Sequence, residues 1–295
     1  MTNNVKFGLY LMTSKGLATL QSFAANISVN YISYIVVAQD PNVSNDYYHD
    51  ITVLAKSLNI PLYERYQSLP DATHLIAVSW RWLIEANPDQ KLIVFHDSLL
   101  PRYRGFSPLP SALINGERLV GVTALMASEE YDRGPVIGQE AIEISYPITI
   151  SEAIELLEPC YQKLAVEVAS SILRGDMVST VQNEANATYS LWRDEQDYFI
   201  DWTWDAERIK RFVDSLGFPY KGAATILEGE TFRIRECETL NDVYIENRSV
   251  GKVIFMHGDF PVVVCGTGLI KIRSMDKDDS TGSALPIKKF RSRFV

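Results

Sequence analysis

The first hundred residues alternate between short apolar runs and longer segments with helical spacing of apolar positions. The apolar runs predict buried strands over Val5–Met12, Ile32–Ala38, His74–Trp80 and Lys91–Phe95. Helical patterns begin at Ser14 and near Asp46. Strands that are apolar throughout are typical of a parallel sheet covered on both faces. The pattern therefore predicts an α/β fold, a Rossmann-like open parallel sheet with helices on both faces and right-handed crossovers.

The second half of the chain begins in the same way and then changes. Val120–Ala127 predicts another strand, and the segment from Ser151 to Gly175 predicts a long amphipathic helix. The stretch NEANATYSLWRDEQDYFIDWTW has no regular period, which predicts a linker. Later turn sequences such as LEGET and MHGDF separate short strands and predict a small all-β barrel or sheet. We predict a larger domain over 1–187, a linker over 188–204 and a C-terminal domain over 205–295.

Charge is distributed unevenly along the 295 residues. The net charge is −9, yet residues 203–295 carry 15 Lys and Arg against 13 Asp and Glu, so residues 1–202 carry a net −11. An acidic main part argues against nucleic acid as a partner, although the same balance is equally a simple solubility feature. The N-terminal sequence has no basic region, and no apolar stretch approaches the ~20 residues of a membrane span. We expect a cytoplasmic protein with no membrane partner.

The sequence contains three cysteines and four histidines, all widely spaced. An odd number of scattered cysteines predicts neither a disulfide framework nor a zinc site, and it suits a reducing compartment. We expect no metal. The GxGxxG and Walker-type glycine patterns that cradle phosphates are also absent from the sequence.

Two loops that follow predicted strands carry the chemistry. Ligands of open α/β sheets bind beyond the carboxyl ends of the strands. His96 ends one predicted strand and could act as an acid, a base or a hydrogen-bond donor. Asp132, in the turn EEYDRGP, follows another strand and could orient that histidine. Spacing alone favours a structural histidine and a turn aspartate over a catalytic pair.

Other side chains in these loops are open to two interpretations. Trp80 and Trp82 could wall an aromatic ligand pocket or belong to the core. Arg102 and Arg104 could clamp a phosphate or carboxylate, although such arginines are more often solvated. We do not predict Ser98 as a nucleophile, because no strained nucleophile elbow surrounds it.

Four motifs in order carry a resemblance to a known family. They are HDSLLP at His96–Pro101, then RYRG, GVTALM, and YDRGP at Tyr131–Pro135. Together they resemble the signature of 10-formyltetrahydrofolate-dependent formyltransferases, which include glycinamide ribonucleotide transformylase, methionyl-tRNA formyltransferase and the sugar N-formyltransferases. The stretches SLWRDEQDYFIDW and IKRFVDSLGFPYKGA resemble the connection to the C-terminal domain of methionyl-tRNA formyltransferase. The resemblance covers nearly the whole chain and implies an OB-like open barrel at its end.

The resemblance implies formyl transfer from 10-formyltetrahydrofolate to an amine. It assigns proton movement or oxyanion stabilisation to His96, with Asp132 orienting and polarising the ring. It also implies contacts to the folate cosubstrate from three segments. These are Trp80, Arg81, Trp82, Leu83 and Ile84, then Ser98, Leu99, Leu100 and Pro101, and finally Glu129 and Tyr131.

One position departs from the family pattern. The family's asparagine two residues before the histidine is Val94 here, and valine donates no hydrogen bond to a developing oxyanion. A backbone N–H, Asp97 or a water could replace that donor. Alternatively, the activity could be slow or altered, or the chain could be a catalytically inactive relative. We favour a working enzyme.

The stretches FHDSLLPRYRG and YSLWRDEQDYFIDW resemble bacterial nucleotide-sugar N-formyltransferases of glycan biosynthesis, such as those of pseudaminic-acid or dideoxyamino-sugar pathways. We therefore expect a nucleotide-linked amino sugar as the acceptor, with Arg102, Arg104 or Lys221 contacting its diphosphate. Methionyl-tRNA formyltransferase is the alternative, and a non-catalytic folate or nucleotide-sugar binding protein is the third. An unpaired strand edge in the C-terminal domain would allow a homodimer.

Overall fold

The computed structural model describes residues 5–278, 280 and 282–295, which form two compact units. The first unit comprises the described residues up to Leu109, with Arg118–Ile144 and Ala153–Leu191. The second comprises Pro110–Glu117, Ser145–Glu152 and the described part of Trp192–Val295. The domain boundaries given above remain a prediction.

The helices and strands follow the hydrophobic pattern closely. In chain order, the α-helices are α1 (Thr13–Asn26), α2 (Tyr48–Ser57), α3 (Pro108–Ile114), α4 (Ile150–Arg174) and α5 (Ala206–Ser215). The strands up to Ser190 are β1 (Phe7–Leu11), β2 (Ile32–Val37), β3 (Leu62–Glu64), β4 (His74–Val78), β5 (Lys91–His96), β6 (Arg104–Gly105), β7 (Leu119–Met126), β8 (Val136–Glu143) and β9 (Tyr189–Ser190). Single 3₁₀ turns cover Val29–Tyr31, Glu184–Asn186 and Gln196–Tyr198.

Seven strands of the first unit form one sheet in the order β3-β2-β1-β4-β5-β7-β8. The first five strands in that order run parallel, so the predicted open parallel sheet is confirmed for most of its width. Strands β7 and β8 are antiparallel to their neighbours. Strand β1 is buried throughout, whereas residues of the edge strand β8 alternate between half-buried and exposed over its second half. That alternation is typical of an antiparallel strand with one solvated face.

The prediction of helices on both faces of this sheet is confirmed for one face only. Helices α1 and α4 lie together on one face, where the Ser22 hydroxyl donates to the Gln162 carbonyl at 3.0 Å. The connections from β3 to β4 and from β4 to β5, residues 65–73 and 79–90, contain no helix in the structure as described. A crossover between parallel strands usually carries a helix that covers the sheet. Here the opposite face is covered by two loops, and it carries the aromatic side chains Tyr10, Tyr34 and Tyr63.

The second unit contains a separate antiparallel sheet, as the all-β prediction required. Its strands, in the spatial order β10-β11-β14-β13-β12, are β10 (Ala223–Leu227), β11 (Glu230–Leu240), β14 (Leu269–Lys277), β13 (Phe260–Val264) and β12 (Val253–His257). Helix α5 contributes Ile209 and Phe212 to the core of this unit. The C-terminal residues lie along both edges of the sheet, because Phe294 bridges to Leu227 and Arg293 to Lys252.

None of the helices formed by the described residues has an apolar stretch that could span a membrane. The same residues contain no group of three or more His, Cys, Asp and Glu side chains that could hold a metal ion. The three cysteines are free and buried.

Candidate active site

His96 is the last residue of β5, and its side chain is almost completely buried. The continuous apolar run before it forms a central strand, and the ring then lies at the carboxyl end of the sheet. Its Nε2 lies 2.8 Å from the carbonyl oxygen of Tyr103. A carbonyl only accepts, so Nε2 carries the hydrogen in this arrangement.

The structure brings Asp132 to the other side of the same ring. Its Oδ1 lies 3.5 Å from Nδ1 of His96, and its Oδ2 accepts a hydrogen bond of 2.7 Å from the backbone N–H of Gly105. Asp132 has a left-handed backbone with φ of +57°. Such a conformation is uncommon outside glycine, although aspartate tolerates it better than most residues. The side chains of His96 and Asp132 therefore meet at the carboxyl end of the sheet. The catalytic role of the two residues stays a prediction.

The contacts of the ring determine what the pair can do. With the Nε2 hydrogen donated to Tyr103, a neutral His96 directs a bare lone pair at the carboxylate of Asp132. A proton on Nδ1 turns that contact into a charge-assisted interaction. The Nδ1–Oδ1 gap is therefore the place where this pair can hold and release a proton.

The Ser98–Pro101 segment is a rigid loop rather than a set of free side chains. The buried Thr123 hydroxyl donates to the Ser98 carbonyl at 2.6 Å and accepts from the Leu100 N–H at 3.1 Å. Gln139 donates to both Leu100 O and Thr123. The Ser98 hydroxyl donates to the Arg102 carbonyl at 2.7 Å, so its hydrogen is held within the loop. Ser98 and Leu100 are buried, while Leu99 and Pro101 are half-buried and can line a ligand site.

The loop after β4 lines a cavity of about 560 Å³ on the open face of the sheet. Trp80, Trp82, Leu83 and Ile84 lie in its wall together with Tyr10 and Tyr34. The Trp80 ring centroid is 5.2 Å from those of both Tyr10 and Trp82. Arg81 is not among the lining residues, and its guanidinium instead contacts Asp40 at 2.7 Å. The cavity lies on the face that carries Val94, which packs against the same aromatic cluster.

The turn before Asp132 is exposed. Glu129 lies at the surface, and Tyr131 is 74% exposed. The Tyr131 ring lies 5.9 Å from that of Phe106, which is itself 49% exposed. Phe106 follows Gly105 and Tyr131 precedes Asp132, so this aromatic pair flanks the Gly105–Asp132 hydrogen bond.

The prediction that Arg104 could clamp a diphosphate is wrong. Arg104 is completely buried, and its guanidinium is occupied by Gln182 and Glu184. Lys221 is paired with Glu195 at 2.8 Å. Arg102 is exposed, and its guanidinium carbon lies 5.2 Å from the centre of the Tyr103 ring.

The suggestion that Asp97 replaces the missing asparagine is also wrong. Its carboxylate is bound by the Lys15 ammonium and accepts from the Tyr161 hydroxyl at 2.5 Å. Burial alone would raise the pKa of the Asp97 carboxyl, but Lys15 and Tyr161 outweigh it and hold that pKa below its usual value. An ionised carboxylate accepts hydrogen bonds and donates none.

Sequence reasoning missed the residues that support the pair from far along the chain. Gln182 donates to the backbone carbonyl of Asp132 at 2.7 Å, and β9 pairs with β6 beside His96. Gln182 directly precedes the stretch without a regular period, and β9 lies within it, in the part that predicts a linker. Only the composition of that stretch, polar and aromatic, hinted that it lies against another part of the protein.

Sequence comparisons identify the family of this chain. A family model described as formyl transferase matches residues 81–169, and one described as formyl transferase, C-terminal domain, matches residues 193–292. The chain belongs to the formyltransferase family.

Individual relatives agree on the family and differ in the acceptor that their names imply. A methionyl-tRNA formyltransferase of Nitrosomonas europaea is 30% identical over 191 residues, 64% of this chain and 59% of the relative. A second, from Marinobacter nauticus, is 29% identical and is covered to 63%. The chain thus aligns with about three-fifths of the length of these relatives. The structure of WlaRD, a sugar 3N-formyl transferase, matches with a TM-score of 0.67 at 15% identity over 95% of this chain and all of WlaRD, which shows a shared fold.

Proposed function

We propose that this protein transfers a formyl group from 10-formyltetrahydrofolate to the amine of a nucleotide-linked amino sugar. The observation that carries the proposal is the His96–Asp132 pair at the carboxyl end of β5, in a chain of the formyltransferase family. The cosubstrate supplies the formyl group, and the residues of the chain position the reactants and move a proton.

The cavity fits an aromatic cosubstrate ring. Its volume of about 560 Å³ lies within the ~300–1,000 Å³ usual for small-molecule sites, and aromatic side chains form much of its wall. Trp80 lies in this wall, and its buried Nε1 has no hydrogen-bond partner among the described residues. Trp80, Trp82, Leu83 and Ile84 would hold the ring, while Leu99, Pro101 and Tyr131 would border the formyl group.

His96 and Asp132 supply the proton chemistry. A neutral amine attacks the formyl carbon, and the amine must lose a proton while the departing nitrogen gains one. The Nδ1–Asp132 gap takes up the first proton and delivers the second. The positive charge of a protonated His96 ring would also favour negative charge that develops on the formyl oxygen.

Val94 leaves that oxygen without the asparagine donor of the family. The side chain packs against the aromatic cluster on the open face. Because Asp97 is committed to Lys15 and Tyr161, the remaining candidates for the second donor are a backbone N–H and a water. We retain the working enzyme as the proposal.

The charge of the C-terminal region supports a small acceptor over tRNA. Residues 203–295 have a net charge of only +2. Many of the described cations there are paired with acids, including Arg233 with Asp278, Arg235 with Asp276 and Lys271 with Glu238. A polyanion binder needs a continuous basic surface with cations available to phosphates. The names of the sequence relatives favour methionyl-tRNA formyltransferase, which we keep as the second candidate.

The exposed aromatic pair and Arg102 suit the acceptor. The rings of Phe106 and Tyr131 lie beside the catalytic pair and present an apolar wall against which a sugar or base can pack. Arg102 lies on the loop that carries Phe106, and its exposed guanidinium would contact the diphosphate. The homodimer stays outside this proposal, because C-terminal residues already lie along both edges of the second sheet.

One experiment tests the reaction and its acceptor together. Purified protein is incubated with 10-formyltetrahydrofolate and a panel of nucleotide-linked amino sugars, with methionyl-tRNA in parallel, and the product masses are followed. A His96→Ala protein serves as the control. A gain of one formyl group on an amino sugar, lost in the variant, supports the proposal. A formyl group gained by the tRNA alone would make methionyl-tRNA the acceptor. Folate binding without any formylated product would support a non-catalytic binding protein.

A further inference from the structure

Arg104 lies between the two residues that contact the His96–Asp132 pair from outside. The Tyr103 carbonyl accepts from Nε2 of His96 at 2.8 Å. The Gly105 N–H donates to Oδ2 of Asp132 at 2.7 Å. Any movement of Arg104 along the backbone therefore moves a partner of each catalytic side chain.

The guanidinium of Arg104 is held by a segment more than seventy residues further along the chain. Its Nε and one Nη donate to Oε1 of Gln182 at 3.1 and 2.8 Å, and both Nη atoms donate to Glu184 at 2.8 and 2.9 Å. One Nη of Arg104 also donates to the Tyr189 hydroxyl oxygen at 3.4 Å. Arg104 is 0% exposed, and a buried guanidinium is tolerated only with such partners.

Gln182 links this cluster directly to the aspartate. Its Oε1 accepts from Arg104, while its Nε2 donates to the backbone carbonyls of Asp132 and Gly134 at 2.7 and 2.8 Å. One side-chain amide thus joins the buried cation to the residue whose carboxylate faces His96. Arg104 reaches Asp132 through Gly105 and, independently, through Gln182.

The backbone around Arg104 depends on the same segment. Tyr103 and Asp132 both have left-handed backbones, with φ of +58° and +57°. Gly105 has φ of +98°, and a Cβ there would lie 2.5 Å from the Ser190 carbonyl. Left-handed residues other than glycine persist where their surroundings determine them strongly. The β6–β9 pairing and the Arg104 cluster supply those surroundings.

We propose that Arg104 and Gln182 are positioning residues that set the geometry of the His96–Asp132 pair. This inference rests on the proposed function only in assigning the reaction to that pair. Arg104 holds its two neighbours in place: Tyr103, whose carbonyl accepts from His96, and Gly105, whose N–H donates to Asp132. Gln182 holds the backbone of Asp132.

Two substitutions test the two links. Arg104→Lys keeps the charge but cannot form the fork that spans Gln182 and Glu184. Gln182→Glu keeps an acceptor for Arg104 and removes the donor to the Asp132 carbonyl. Because a displacement of about 1 Å can lower a rate about a hundredfold, we expect kcat to fall ten- to a hundredfold in each variant, with KM changed less than threefold.

A double substitution separates positioning from general damage. In an Asp132→Asn protein the pair is already disabled, so adding Arg104→Lys should lower kcat by less than a further threefold. A full additional loss in the double variant would mean that Arg104 acts independently of Asp132, and it would overturn the inference.

A second measurement needs no substrate. The titration of His96 is followed in the free protein by ¹⁵N NMR of labelled histidine rings, with His96→Gln identifying its signals among those of the four histidines. The charged groups that act on the ring or on its partners are Asp132, Asp97 with its partner Lys15, Arg104 and, through Arg104, Glu184 with its partner Arg133. We expect the His96 titration to shift in both Arg104→Lys and Gln182→Glu.

A matched control is provided by another nearly buried arginine, Arg233. Arg233 is 2% exposed, and its guanidinium is bound by Asp278 and Glu195 in the second unit. Arg233→Lys breaks an equivalent fork, yet it should leave the His96 titration unchanged. An unchanged titration in the two test variants as well would refute the positioning role, whether or not an acceptor has been found.

Discussion

A histidine whose two ring nitrogens both face acceptors is satisfied only when both carry a proton. In His96, Nε2 faces the Tyr103 carbonyl and Nδ1 faces Asp132. The contact of Nε2 is made to a backbone carbonyl, which cannot take up the proton. A proton can therefore be gained or lost only at the contact between Nδ1 and Asp132. At the scale of single residues, the proposed proton transfer therefore depends on the gap between Nδ1 of His96 and one carboxylate oxygen of Asp132.

Asp132→Asn tests that dependence. Asparagine keeps an acceptor for the Gly105 N–H and tolerates the left-handed backbone, but it carries no negative charge. We expect kcat/KM for formyl transfer to fall about 10²- to 10⁴-fold, the range usual for acid–base residues. Steady-state kinetics measure the loss, and the melting temperature should stay close to that of the parent protein. A fall of less than threefold would show that the carboxylate is not needed.

Val94→Asn restores the side chain that the family signature carries. Val94 is half-buried against aromatic side chains, so the new amide should lower stability by about 1–3 kcal/mol, measured by urea unfolding. Because we expect another donor to serve the oxyanion, kcat should rise by less than threefold. A gain of tenfold or more would indicate that the parent site lacks this donor. Val94→Thr, close to valine in shape, is the control for packing.

At the scale of secondary-structure elements, Asp97 joins three parts of the first unit. It follows β5 directly, and it binds Lys15 from α1 and Tyr161 from α4. Its neighbours in sequence are His96 and Ser98, so this junction anchors the strand end from the helix-covered face. The Thr123 hydroxyl anchors the loop that follows.

Stability at low pH should report this junction. The pKa of Asp97 is lower in the folded chain than its unfolded value near 3.9. Its contribution is therefore present above about pH 4 and is lost as the pH falls through the folded value. Asp97→Asn leaves the Lys15 ammonium buried without its anion, which should cost about 3–5 kcal/mol at pH 7.

Asp97→Asn should also lose less stability than the parent protein between pH 4 and pH 2, because the Asp97 carboxyl that titrates in the parent is gone. Chemical unfolding at a series of pH values measures both effects. Asp176→Asn, at an exposed pair with Arg174, is the matched control and should leave the unfolding midpoint unchanged. Equal acid sensitivity of the parent and Asp97→Asn would contradict this account.

At the scale of the whole molecule, charge separates the two candidate acceptors. The net charge of −9 and the paired cations of the second unit leave little basic surface. We expect tRNA to bind at 150 mM salt no more tightly than the ~10⁻⁴–10⁻⁶ M usual for non-specific contacts. Filter binding over a salt series measures this. Submicromolar affinity with a steep salt dependence would favour methionyl-tRNA formyltransferase instead.

The sequence by itself determined the order of strands and helices, the change to an all-β end, and the strand terminus that carries His96. These features depend on local periodicity, which is visible in one chain. The tertiary structure decided the rest, because burial and pairing depend on residues far apart in sequence. It buried Arg104 among Gln182 and Glu184 instead of exposing it to a phosphate, and among the described residues it left one sheet face without helices. It also brought Gln182 into contact with Asp132, fifty residues away in the chain, and local periodicity of the sequence cannot predict such a contact.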